Sequence, residues 1–118
     1  MVPGAMGGVV RLLMFLGCLV ASVWVSAQEL HTVEMERVAY SLSGEYETVI
    51  TFRNTGSETR RIYWLDYEGK RKLYSQLLAG QEQSLDTYLT HPWLVTDEQD
   101  SALDVYYPDS RARVVELR

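Results

Sequence analysis

Two imidazoles and a single thiol limit the chemistry open to this chain. His31 and His91 are its only histidines, and Cys18, its one cysteine, lies inside an apolar N-terminal run. His31 and Glu34 share a lead-in segment with no strong period, which is a poor platform for a rigid site. A metal centre would need His91 together with Asp86 and others, and no spacing here resembles a ligand motif. No glycine-rich phosphate loop follows a strand. Neither a catalytic residue, a metal ligand nor a cofactor is assigned, and the chain reads as a non-enzyme.

What the residues do offer is binding chemistry. Trp64 falls on the strand face opposite Tyr63 and Leu65, so one of these sets must point away from the core. A tryptophan aimed outward among polar neighbours suggests a contact surface. Flat aromatic faces such as Trp64, Tyr74 and Trp93 receive proline rings well, because both partners are rigid and little entropy is lost. A hydroxylated ring adds a donor and an acceptor, which Thr87 Oγ and a His91 nitrogen would satisfy. Plain proline would leave those groups unpaired and be rejected. The same residues have plainer readings: aromatics fill small cores, a lone histidine fits a turn, and threonine suits a strand. Residue types alone leave both readings open.

The elements that would position these residues read as short strands with turn signals between them. Tyr46 to Phe52 is β-branched and aromatic, and Asn54-Thr55-Gly56-Ser57 closes it with turn chemistry. Arg60 to Tyr67 alternates, with Tyr63, Leu65 and Tyr67 on one face and Ile62, Trp64 and Asp66 on the other. Glu68-Gly69-Lys70 reads as a hairpin connection. Lys72–Leu77, Gln83–Leu89, His91–Val95, Leu103–Tyr107 and Arg113–Leu117 follow. Of Tyr106 and Tyr107, one ring is expected in the core and one exposed. Seven or eight strands at this spacing predict a small all-β antiparallel sandwich. No ten-residue stretch holds a helical period with caps. The Arg60-Arg61 and Lys70-Arg71-Lys72 clusters read as solvated strand edges or as steering charges.

The N-terminus is of another kind. Arg11 precedes an apolar run from Leu12 to Val25, and Val25-Ser26-Ala27 supplies the small residues of a cleavage site. This describes a signal peptide over residues 1–27, with an uncleaved anchor as the alternative; the apolar run is short against the ~20 residues of a span. The expected organisation is therefore 1–27 signal peptide, 28–44 lead-in with an irregular first strand, and 45–118 β domain, secreted or periplasmic. The chain carries 11 bases, 16 acids and a formal charge of −5. Losing Arg11 makes the remainder more acidic, which argues against a nucleic-acid partner. With Cys18 gone as well, no disulfide is available, and one packed core must hold the domain.

Several of these motifs in register resemble the β domain of the von Hippel-Lindau (VHL) tumour suppressor family. They are Val49–Asn54, Ile62–Gly69, Leu73-Tyr74, Thr87-Tyr88 and His91–Leu94, with Val105–Pro108 more weakly. The resemblance implies a β-sandwich that docks an extended peptide bearing 4-hydroxyproline. By the same resemblance Trp64 and Trp93 are pocket tryptophans, Tyr74 lies beside the ring, Tyr88 lines the peptide path, and His91 contacts the hydroxyl. Thr87 stands in for a serine, Asp86 for a histidine and Pro92 for a leucine. Ser43 and Glu45 fall where the family grips the flanking peptide with an asparagine and an arginine. The implied function is a secreted, non-catalytic module for a proline- or hydroxyproline-containing peptide. It has no ubiquitin-ligase role, since that belongs to the family's helical domain. The alternatives are an assembly module pairing through a sheet edge, and carbohydrate stacking on exposed tryptophans. No membrane contact is expected after cleavage, and the sequence does not fix the oligomeric state.

Overall fold

The computed structural model describes residues 26–118. The signal peptide expected over 1–27 lies outside them apart from Ser26 and Ala27, which cap and begin a helix, α1 (Ala27–Val38). Seven strands follow: β1 (Glu47–Asn54), β2 (Arg60–Leu65), β3 (Arg71–Leu77), β4 (Glu82–Tyr88), β5 (Trp93–Thr96), β6 (Ala102–Tyr106) and β7 (Arg113–Leu117). They form a three-stranded sheet, β4-β1-β7, facing a four-stranded sheet, β3-β2-β5-β6. All pairings are antiparallel except β1 with β7, which run parallel from Ile50↔Arg113 to Asn54↔Leu117. The fold is thus the all-β sandwich expected, but not a purely antiparallel one.

Alternation builds the core between the sheets. Ile50 and Phe52 of β1, Ile62 of β2, Trp93 and Val95 of β5 and Val115 and Leu117 of β7 meet there, all buried. Phe52 touches the Trp93 ring at 6.4 Å and sets edge-on to Tyr106 at 5.9 Å. Asn54 is fully buried among them, and its amide donates to the Glu58 and Leu77 carbonyls. It locks the β1–β2 connection from inside, since buried polar groups persist only when bonded. Tyr107 is exposed and Tyr106 packs on the core, the division expected of the pair.

The outer face of the four-stranded sheet is covered as well, and here two expectations are corrected. The lead-in predicted as an irregular strand over 28–44 is helical as far as Val38. Tyr63 and Leu65, not Trp64, therefore point away from the inter-sheet core, and without reaching solvent they join Leu94, Ala102 and Val105 under α1 and Ala39. Trp64, expected outward, packs against the inter-sheet core beside Ile62. The helix escapes a hydropathy reading because its buried stripe is narrow and centred on a polar residue, Thr32. That hydroxyl is satisfied by the Gln28 and Leu103 carbonyls at 3.0 and 2.9 Å. Ser26 caps the helix by accepting from the Glu29 N–H, as N-cap serines do.

Two of the arginines read as solvated edges tie this layer down. Arg71 grips Glu36 of α1 through both guanidinium arms, at 2.6 and 2.8 Å, and reaches the Asp100 carbonyl. Arg61 and the Tyr63 hydroxyl both donate to the Asp100 carboxylate. These two donors, Tyr63 first, hold the Asp100 carboxyl below its usual range. No helix among the described residues is long and apolar enough to cross a membrane.

Candidate functional site

The site forms where β2, β3, β4 and the turn before β5 converge at one end of the sandwich. β2 stops at Leu65 because Asp66 turns the chain. Its Oδ1 accepts from the backbone N–H groups of Glu68 at 2.9 Å and Lys70 at 2.8 Å. Those donors, Lys70 foremost, hold the Asp66 carboxyl below its ordinary range. Gly69, at φ 78°, supplies the left-handed step. The turn ends the two-residue period. Tyr67 accordingly does not continue the face of Tyr63 and Leu65, as alternation predicted, but swings to the side of Trp64. The two rings lie edge to face at 5.7 Å, and the Tyr67 hydroxyl meets His91 Nε2 at 3.0 Å.

His91 is delivered by a tight turn in which its N–H donates to the Tyr88 carbonyl at 3.0 Å. The imidazole is buried, stacked on Trp64 at 5.2 Å and 26°, with Tyr67 and Tyr88 against its edges. Burial pushes its pKa down, and a hydrogen bond with the Ser43 backbone offsets this only in part. The ring is neutral at physiological pH.

The other two elements bring the remaining groups. Trp93 of β5 is a core residue whose Nε1 donates to Thr87 Oγ1 of β4 at 3.0 Å. Tyr74 of β3 stands edge-on over Trp93 at 5.1 Å and remains half exposed. Trp64 points its Nε1 the opposite way, to Ser41 Oγ at 2.8 Å, and Ser41 in turn donates to the Leu65 carbonyl at 2.7 Å. Ser41 belongs to the strap that descends from α1. Thr90 stitches the strap in place by accepting from the Leu42 and Ser43 N–H groups and donating to the Ser43 carbonyl.

All six residues singled out from the sequence, Trp64, Tyr74, Thr87, Tyr88, His91 and Trp93, line one cavity of about 200 Å³, joined by Tyr67 and Asp86. Its volume is below the roughly 300–1,000 Å³ of small-molecule pockets, and suits a single ring. The core and contact readings prove compatible, because Trp93 belongs to the core and also floors the cavity. Ser43 contributes backbone alone, and Glu45 lines a separate hollow with Tyr46 and Leu89. Neither reaches the cavity.

Sequence reasoning missed Tyr67 and Ser41. The turn chemistry of Asp66 and Gly69 could have announced that alternation ends before Tyr67. Nothing local announced Ser41, which acts across a long loop. Among the described residues, no buried side-chain nitrogen or oxygen lacks a partner, and no group of three or more His, Cys, Asp or Glu side chains comes together as a metal site. The cavity offers aromatic faces, a threonine hydroxyl that keeps its own proton to donate, and a neutral imidazole already bonded to Tyr67.

Comparison with known proteins identifies the family. A family model described as VHL beta domain matches residues 39–108. The Drosophila melanogaster protein Vhl is 30% identical over 71 residues, covering 60% of this chain and 35% of its own length. The chain therefore spans little more than a third of the relative it matches. The match begins at Ala39, the C-cap just after α1, and closes at Pro108 before β7. The chain belongs to the VHL β-domain family.

Proposed function

We propose that this protein is a non-catalytic binding module, exported from the cytoplasm, that holds an extended peptide with one proline-type ring in the aromatic cavity. The supporting observation is the convergence of Trp64, Tyr67, Tyr74 and Trp93 around a space of single-ring size, beside a strand, β4, that among the described residues pairs with β1 on one side only. An extended peptide laid along that free edge would gain main-chain hydrogen bonds while its ring enters the cavity.

Selectivity for a hydroxyl on that ring is modest in this reading. Thr87 Oγ1 already accepts from Trp93, and His91 Nε2 already meets Tyr67. Plain proline thus leaves only the Thr87 proton unpaired, well short of the stranding that produces discrimination of 10⁴ or more. What hydroxyproline adds is one bond from the Thr87 hydroxyl, worth about 1 kcal/mol, or several-fold in affinity. Calorimetry with a hydroxyproline peptide and its proline twin should give binding to both, within about tenfold of each other. Silence toward both by the folded protein refutes the module; silence toward proline alone refutes the modest selectivity.

A further inference from the structure

The outer face of β4 says what should stand next to the ring. Register pairs Thr87 with Thr48, Asp86 with Val49 and Tyr88 with Glu47. Side chains alternate across a strand. Thr87 is buried and faces the cavity, so Asp86 lies on the opposite face with Glu47 and Val49, while Tyr88, at the strand end, turns its ring back against His91. They line a groove of about 610 Å³ that shares Asp86, Thr87 and Tyr88 with the aromatic cavity. The two spaces are therefore the two sides of one free strand edge.

The charge on that outer side is uncompensated. Arg53, on the same face of β1 farther along, is held by Glu82 and Glu116 at 2.9 and 3.4 Å. Lys70 just before β3 and Lys72 within it turn to Glu68 and Asp66, and Arg113 to Asp109. Among the described residues, no ion pair within 4.0 Å reaches Glu47 or Asp86. The groove thus carries two carboxylates, Asp86 and Glu47, on one face, with no ion-pair partner among the described residues.

We propose that the peptide carries lysine or arginine immediately beside the ring residue, on the side read by Asp86 and Glu47. This rests on the peptide reading above and adds to it. A strand added at the β4 edge alternates its own side chains in step with β4. With the ring in the cavity, the adjacent residue must emerge over the outer face. A long cationic side chain there approaches both carboxylates, an arrangement that favours cations. An acidic side chain meets like charge.

The test uses the full chain, followed by tryptophan fluorescence, and ten-residue peptides with one central proline and no charge except at one varied position. The residue before or after it is lysine, glutamine or glutamate. At low salt the lysine peptide should bind about tenfold more tightly than the glutamate one, with glutamine between. The ratio should shrink toward one in 1 M salt, where screening reaches about 3 Å. Asp86→Asn with Glu47→Gln should abolish the ratio, and Asp86→Lys should invert it. Equal binding of all three peptides by the unaltered protein overturns the proposal while sparing the peptide module. So does a ratio that survives both variants. Failure of every peptide to bind overturns the module and this inference with it.

Discussion

Trp64 owes its orientation to Ser41, and removing that serine should be costly in a diagnostic way. Ser41→Ala deletes two hydrogen bonds at once, the one accepted from Trp64 Nε1 at 2.8 Å and the one donated to the Leu65 carbonyl at 2.7 Å. Each contributes about 1 kcal/mol net, and stranding a donor or acceptor adds about another. The expected loss is ~2–3 kcal/mol, a large fraction of the stability of a small domain. Trp64→Phe keeps an aromatic ring against His91 and Tyr74 but removes the indole N–H. In that background Ser41→Ala should cost only ~1 kcal/mol, for the Leu65 carbonyl alone. Urea denaturation of the four proteins gives a double-mutant cycle with a coupling of ~1–2 kcal/mol. Additivity within about 0.5 kcal/mol would mean that the indole does not depend on the strap. The account of how Trp64 is positioned would then be wrong.

Two further outcomes follow from named contacts. Glu36→Ala removes the partner of Arg71 on α1, at a cost of about 1 kcal/mol. Amides of Ala27–Val38 should exchange faster with solvent while those of β1 and β5 keep their protection; equal loss throughout would show that the helix is no separate layer. His91 supplies a pH dependence. Its folded pKa is depressed by burial, so the unfolded chain takes up a proton first as acid is added. Its contribution is intact above the ordinary value of about 6.5 and is lost as pH falls through the folded pKa. His91→Gln should flatten the fall in urea midpoint below pH 6.5, and an unchanged slope would place the titrating group elsewhere.

How much of this was legible depends on whether the deciding interactions are local. Strands with a clean period, such as Arg113 to Leu117, declare themselves, because one side chain in two is buried. Alternation also separated Ile62 from Tyr63 correctly. It did not reveal that both would be buried, since the second covering layer is α1. That helix hides because its buried anchor is Thr32, satisfied by a carbonyl on β6 far along the chain. Its ionic anchor, Arg71, looked like an exposed edge charge until Glu36 was brought beside it. Parallel pairing of β1 with β7 was hidden for a similar reason, because the contact joins the two ends of the β domain.

The site divides along the same line, and the division bears on function. Aromatic identity is local information, and the six residues chosen on type, spacing and resemblance do share one cavity. The bonding state of their polar atoms is not local. Read singly, Thr87 and His91 are groups waiting for a ligand hydroxyl; in the fold, each is already engaged by a neighbouring aromatic, Trp93 and Tyr67. A cavity satisfied in this way is stable empty and tolerates a plain ring. One with unpaired groups would require the hydroxyl. Discrimination then has to come from the unsatisfied part of the surface. On the pocket side that is the single proton of Thr87, and on the outer side it is the carboxylates of Asp86 and Glu47. If the module selects its peptides, charge beside the ring should therefore outweigh hydroxylation of the ring.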